Sequence, residues 1–473
     1  MSPRRPRVSQ SIPGAATDQL RYLTRTLVQQ PGLPFADLLP ENTAELLGAS
    51  TDPIYTPAVT LALFLNQTLE PEGTCQSAVS RFQAHRAVTG EPAISENTGA
   101  YCKARKRLSE EALRTLARST GATLSRRVPQ DGLWKGRRVR LVDGSTVTAA
   151  DTPDNQAEYP QPDSQAPGLG FPMLRLVFLF CIATGAVLQA VLSPYSGKGT
   201  GELALFRSLW DDLDASDVVV GDRIYCSYIE IAMLAARGID VVWHKHQSRK
   251  TDFRTGTRLG KGDHLIVWSR PRRPEWMDEA TYASIPERLE VREVRIRVSR
   301  AGFRVKAFEL ITTLLDPTQV SVDELGQLYR RRWFAELNLR SLKKSLGMDH
   351  LVCKSPAMVR KEVWVYVLAY NVVRGAMCQG AQLHGGKVER LSFRSAVTSV
   401  LTFGEKLART EGGELERCWQ RLWHAIASHK VPDRPDRVEP RAVKRRGHKY
   451  PHLTQPRKLA QRKLFNANRG ARK

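Results

Sequence analysis

The residues best suited to chemistry lie far apart in the chain: Asp143, Asp222 and Glu336, separated by 79 and then 114 positions. Three carboxylates supply hard oxygen donors of the kind that suits Mg2+ or Mn2+. Two such ions about 3.5–4 Å apart can activate a water or a 3′-hydroxyl and stabilise the leaving oxygen of an in-line phosphoryl transfer. The third carboxylate sits in a cationic stretch, YRRRWFAELNLRSLKK, residues 329–344. On a helix of about 100° per residue, Tyr329, Arg332, Glu336 and Lys343 share a wedge of roughly 60°. A carboxylate flanked by two cations and a phenol can hold a divalent ion and a phosphodiester together. A solvated helix with i,i+4 ion pairs (Arg332–Glu336–Arg340) explains the same charges without any chemistry. The helix alone leaves both readings open, so the rest of the chain must decide.

The other two carboxylates need elements to deliver them. RRVRLVDGSTV reads as a strand entering a turn, with Asp143 where the strand ends, before Gly144-Ser145-Thr146. SDVVVGDRIYCS reads as a buried strand whose end carries Asp222. Either Asp alone is most simply a turn residue; order and position in the chain give the combination its weight. Between them, FPMLRLVFLF and AVLQAVLSPY read as antiparallel strands joined at Ala183-Thr184-Gly185. GELALFRSLWDDL and SYIEIAMLAARG read as helices, the second closed by Gly238, and IDVVWHKH as a further strand. The order β-β-β-α-β-α-β predicts an α/β chain whose mixed sheet has hairpin-linked strands first, parallel strands later, and helices on both faces. FRVKAFELITTLLD resumes a buried strand, and Ser321 with Glu324 predicts a capped start to the helix that leads to Glu336.

Composition sets the partner. Lys and Arg number 72 against 48 Asp and Glu, a net charge of +24. Such a surplus points to a polyanion, most simply nucleic acid. The most apolar run, residues 177–192, is short for a membrane helix and is interrupted by Thr184, Gly185 and Gln189. No apolar segment follows the basic residues 2–7, so no signal peptide is expected. Seven widely spaced cysteines without a C-x-x-C pair suggest reduced thiols. A cytoplasmic, nucleoid-associated protein is the expectation.

Four regions follow. Residues 1–130 read as a helical DNA-binding domain, opened by a basic arm over about 1–20. Residues 131–385 form the catalytic domain, interrupted over 245–305 by a β-rich insertion. Residues 386–473 hold further helices and a basic tail. That tail, residues 430–473, has 15 Lys or Arg against 3 Asp or Glu and is expected to gain order only on DNA.

Together these motifs resemble the DDE transposases of bacterial insertion sequences, specifically the insertion-sequence-four family. Its Y-x2-R-x3-E-x6-K signature is met at Tyr329, Arg332, Glu336 and Lys343. VDGST matches the first Asp motif at Asp143. VGDRIYCS matches the second at Asp222, with Arg223 and Tyr225 in place. The resemblance spans residues 61–374. It implies a ribonuclease H-like core in which Asp143, Asp222 and Glu336 ligate two Mg2+, with Mn2+ able to substitute. It implies that Tyr329, Arg332 and Lys343 hold phosphates near the cleaved end, with Arg223, Arg340 and Lys344 as further DNA contacts. Each element end would be nicked to free a 3′-hydroxyl. That hydroxyl would form a hairpin that water reopens, and the freed ends would join target DNA. Terminal inverted repeats and target DNA are the implied double-stranded partners, and an active homodimer is implied because two ends react. Hairpin formation needs an aromatic platform for an unstacked base, for which the insertion offers Trp268 and Trp276, with Trp243 at its edge. A ribonuclease H-like structure-specific nuclease would not need the Tyr329-Arg332-Lys343 set. A catalytically inactive end-binding derivative is opposed by the intact triad.

Several look-alikes carry less. Gly197-Lys198-Gly199-Thr200 fails the P-loop pattern, so no nucleotide cofactor is expected. His244 and His246 lack a third ligand. Asp323 and Glu324 suit a helix start, and Glu202 and Glu230 read as first-turn helix residues.

Overall fold

The structure is a computed structural model that describes residues 37–297, 307–432 and 452–470. The basic arm, the end of the insertion and much of the basic tail lie outside these residues. Contacts divide the chain into two units: the described residues up to Leu124 with Trp364–Lys430, and Ser125–Val363 with the described residues after Val431.

The first unit is helical: α1 (Thr43–Leu47), α2 (Pro57–Leu69), α3 (Cys75–Thr89), α4 (Gly99–Arg107) and most of α5 (Glu110–Arg126). It also holds most of α12 (Pro356–Leu383), with α13 (Phe393–Arg409) and α14 (Gly412–Ser428). Tyr55, Val59, Leu63, Val79, Phe82 and Tyr101 form a buried cluster across α2, α3 and α4. Arg105, one of the basic residues of the helical domain, is buried. Its guanidinium lies 4.5 Å from the Phe64 ring centroid and donates to Gln67 Oε1 at 3.1 Å. The unit boundaries fall within α5 and α12, which run through positions 124/125 and 363/364.

The second unit is built on a ten-stranded sheet: β1 (Val139–Ala149), β2 (Met173–Cys181), β3 (Val187–Pro194), β4 (Val218–Gly221), β5 (Asp240–His244), β6 (Thr257–Gly260), β7 (Asp263–Ser269), β8 (Arg288–Arg297), β9 (Ala307–Thr312) and β10 (His350–Leu351). Its order is β3-β2-β1-β4-β5-β9-β8-β7-β6, with β10 on β1. The pairs β1–β2 and β2–β3 are antiparallel, while β1–β4 and β4–β5 are parallel. The first five strands are thus the ribonuclease H-like core that the resemblance implies. β2 (MLRLVFLFC) lacks polar alternation because both its faces are covered. The crossovers carry α7 (Glu202–Arg207) before β4 and α8 (Tyr228–Ala236) before β5. The apolar core gathers Val142, Phe206, Val219, Tyr225, Ile231 and Trp243 beneath the sheet.

The β-rich insertion extends this sheet. β9 pairs with β5, β8 with β9, and β7 with β8, all antiparallel. A buried ion pair pins it: Arg292 grips Asp263 through two hydrogen bonds of 2.8 and 2.7 Å and donates to the Val320 carbonyl at 2.7 Å. A two-pronged Arg–carboxylate pair is the geometry that tolerates burial. The described end of the tail forms α15 (Arg457–Gly470), a helix where the sequence alone suggests order only on DNA.

Candidate active site

β1 does not end at Asp143. Gly144, Ser145 and Thr146 continue the antiparallel ladder opposite Val177, Leu176 and Arg175, so the expected turn is a strand. What ends near Asp143 is its other neighbour: pairing with β4 stops at Leu141–Val220. Two residues further along the chain from each stand Asp143, still within β1, and Asp222, just past the end of β4. Side chains alternate with period two, so both carboxylates lie on one face. The carboxylates therefore leave the ends of two adjacent parallel strands on the same side, just past the last β1–β4 pair. Asp143 also accepts from the Gly144 amide at 3.0 Å, and Asp222 caps a short 3-10 turn by accepting from Arg223 N at 2.7 Å.

Glu336 arrives on a helix that is not one continuous cylinder. α10 (Val322–Arg330) begins with the expected capping box of Ser321 and Glu324. Lys135 bridges to Glu324 at 2.6 Å and holds its carboxyl down at about 2, with the Ser321 bonds assisting. Capping and this ion pair account for Glu324 without catalysis. The chain then tightens through four i→i+3 bonds between Leu328 and Ala335. It resumes as α11 (Trp333–Arg340) and widens into a π-turn over Ser341–Ser345. Both irregularities flank Glu336.

Lys343 lies in the π-turn and reaches across to β1. Its Nζ donates to Ser145 Oγ at 3.0 Å and to the Thr146 carbonyl at 2.7 Å. It thus bolts the helix bearing Glu336 to the strand bearing Asp143. Burial lowers the pKa of its ammonium.

The electrostatics are those of an acidic cluster lacking a full counter-charge. Burial pushes the Asp143 carboxyl up to about 6; Arg332 and the Gly144 amide oppose this, and the Glu202 and Glu336 charges add to it. Arg332 donates to Glu336 Oε1 at 2.6 Å, so the i,i+4 ion pair of the plain reading is present inside the site. Burial opposes the Arg332 charge, yet Tyr329, Asp222 and Glu336 hold its pKa above the ordinary value. Tyr329 is largely buried against Phe308 and His244, and burial raises its phenol well beyond its usual range. Such carboxylates form a donor set that fits oxygen-preferring divalent ions. No three His, Cys, Asp or Glu side chains among the described residues stand gathered as a finished ion cage. Asp143, Asp222 and Glu336 are each turned toward a protein donor instead.

Of the other residues expected here, Arg223 is exposed and bonds Gln247 at 3.2 Å; Arg340 and Lys344 are exposed, with Lys344 bridged to Asp349. Trp243 is fully buried in the core. Trp268 is 8% exposed beneath the Arg249 guanidinium, 3.6 Å from its ring centroid. Trp276 is 47% exposed, with Arg207 on one face at 3.5 Å. Trp333, beside Arg332 at the start of α11, is 57% exposed, although its spacing along the helix suits a docking face. Glu230 is buried and paired with Arg207. Glu202 stands against Gly144, where a Cβ would lie 2.4 Å from its carboxyl carbon. The signal for it was the glycine beside Asp143.

A transposase DDE domain model matches residues 134–372, about half the chain and spanning every carboxylate described above. The chain is 28% identical over 364 residues to the transposase InsG for insertion sequence element IS4 of Escherichia coli (strain K12), covering 76% of this chain and 78% of that one. A looser likeness, at 10% identity and a TM-score of 0.42, links it to the piggyBac transposase synaptic complex with hairpin DNA, over 90% of this chain and 88% of that one. With more than half its length matched, and the triad inside the match, the chain belongs to the transposase DDE domain family.

Proposed function

We propose that this chain is a DNA transposase that cleaves the ends of its own insertion sequence with divalent metal and joins the freed 3′-hydroxyls to target DNA. The observation that supports the reading is that Asp143 and Asp222 each stand two residues past the last β1–β4 pair, while the helix bearing Glu336 is tied to β1 by Lys343. Asp143, Asp222 and Glu336 would hold two Mg2+, or Mn2+ in their place. Those ions, when bound, supply nucleophile activation and charge stabilisation in phosphoryl transfer.

The chain's own residues do the rest. The burial that lifts Asp143 keeps bulk water thin at the reacting bond, and Lys343 fixes the spacing between the carboxylate-bearing elements. Arg332 bonds Glu336 and acts on Asp143. Released from Glu336, it can take a phosphate by its two-pronged face. Arg223, Arg340 and Lys344 line exposed surface suited to the flanking backbone. Tyr329 supports Arg332 from below, its ring centroid 5.9 Å from the guanidinium. A hairpin step requires a base held out of the stack. Trp276 and Trp333 have the accessible rings such a platform needs, whereas Trp268 would first have to be uncovered. Two ends must react together, so the working assembly is a dimer on DNA.

The test is incubation of the protein with DNA bearing its terminal repeats and Mg2+. A nick, then a hairpin, then joined product supports the reading. Normal cleavage by Asp143→Asn overturns it. Flush cleavage without a hairpin removes only the hairpin step.

A further inference from the structure

We propose that Glu202 is a fourth carboxylate of the ion-holding cluster, meeting the cation on the Asp222 side. The inference rests on the metal reading above and adds a residue to it. Glu202 opens α7, which follows the Gly-rich crossover Gly197-Lys198-Gly199-Thr200-Gly201. A Cβ on Gly144 would lie 2.4 Å from the Glu202 carboxyl carbon and 2.6 and 2.8 Å from its two oxygens. The carboxylate therefore rests on the β1 backbone one residue beyond Asp143. Any side chain at position 144 would push it away, which explains a glycine inside a strand at that point.

Two further observations point to a missing partner. Glu202 is half-buried, and no Lys or Arg among the described residues closes an ion pair with it. The cation that acts on it is Arg175, whose Nη1 donates to the Thr200 carbonyl at 3.3 Å and whose guanidinium lies over the Tyr195 ring. The Tyr225 hydroxyl is fully buried and interacts with Glu202 without completing a hydrogen bond of normal geometry, and it feels Glu202, Asp143 and Asp222 at once. A buried hydroxyl left unmatched beside several carboxylates marks a place organised for something else. With Glu202 turned toward Asp222, one of its oxygens would remain for Tyr225 to donate to. Glu202 then touches the ion, and Tyr225 positions Glu202.

The test is Mn2+ binding to the full, metal-free chain, read from the electron paramagnetic resonance signal of free Mn2+. Glu202→Gln keeps the shape and removes the charge. We expect it to weaken Mn2+ binding 10-fold or more, with circular dichroism unchanged. Gly144→Ala should weaken binding similarly, and combining the two should cost no more than either alone. Should Glu202→Gln fail to fold, Glu202→Asp decides, because its shorter reach must still cost several-fold. Wild-type affinity in Glu202→Gln, or in Glu202→Asp if that variant must serve, overturns the inference. Asp143→Asn separates the two readings. If it loses Mn2+ while the Glu202 variants keep it, only the fourth carboxylate is wrong. If Asp143→Asn also binds as wild type does, or if the wild-type chain binds no Mn2+, the metal reading falls and this inference with it.

Discussion

Removing Asp143, the first carboxylate of the proposed triad, should make the metal-free protein more stable. Asp143 titrates near 6 in the fold and near 3.8 when unperturbed, with burial as the largest cause. Above pH 6 it is ionised in both folded and unfolded chains, and the folded state bears the cost of the misplaced charge. At about 1.4 kcal/mol per pH unit this is about 3 kcal/mol at most, and about 1–3 kcal/mol once solvent in the cleft is counted. The sign follows from linkage: between pH 3.8 and 6 the folded chain binds more protons, so stability falls as pH rises through that window. Asp143→Asn keeps the shape and can still accept from the Gly144 amide. In chelator at pH 7.5 it should unfold on the order of 5 °C higher than wild type. The gap should narrow below pH 6 and close near pH 3.5. Mg2+ should reverse the order by stabilising wild type alone. Thermal unfolding followed by circular dichroism across this pH range measures all three. An Asp143→Asn chain equal to or weaker than wild type at pH 7.5 would refute the claim that burying the Asp143 charge costs the metal-free fold stability.

Lys343→Met should cut nicking by about 10- to 100-fold while leaving the salt dependence of end binding unchanged, because its ammonium is spent on Ser145 and Thr146; a slope reduced by about one in gel-shift titrations would make it a phosphate contact instead. Trp268→Ala should cost about 3–5 kcal/mol of stability, since the ring is almost wholly buried. Trp276→Ala should cost under about 1 kcal/mol yet lower hairpin yield, as denaturant unfolding and product gels would show; equal stability losses would sink the distinction. Arg332→Gln leaves Glu336 without its 2.6 Å partner. End-DNA cleavage should fall, and Mg2+ should stabilise this variant more than it stabilises wild type. An unchanged Mg2+ response would show that Arg332 is no counter-ion to the cluster.

Much of the second unit is legible in the sequence because its signals are local. Unbroken apolar runs give β2 and β3, Gly185 gives their turn, and Ser321 with Glu324 gives the start of α10. The turn predicted after Asp143 failed because Gly-Ser-Thr looks the same in a turn and in a strand whose neighbour falls away. The missing information was the β1–β4 register, which is not local. The sequence predicts a β-rich insertion, but its strands join the sheet through β9, and neither that pairing nor the buried Arg292–Asp263 pair linking β8 to β7 can be read from periodicity. Glu202 was hidden for the same reason. At the start of a helix an acid is already explained by the dipole, and only its approach to Gly144 shows a second use.

The irregular winding around Glu336 follows from what the helix must reach. In a straight helix Glu336 and Lys343 would share a face by spacing alone, as the sequence suggests. Here Glu336 must stay near Arg332 and within the field of Asp143, while Lys343 must touch β1 two and three residues beyond Asp143. The i→i+3 step before Ala335 overwinds the backbone, and the π-turn over Ser341–Ser345 underwinds it, with Leu346 N bonding to Ser341 O at 3.0 Å. The two departures oppose each other, so both side chains meet the same strand from different heights. Such a pair of defects weakens the helix locally, and the docking of Lys343 offsets that cost only while β1 keeps its register. The strand that carries Asp143 and the helix that carries Glu336 are thereby set against each other as one unit. A change that slips β1 by a single residue would turn Asp143 to the opposite face and unseat Lys343 at the same time.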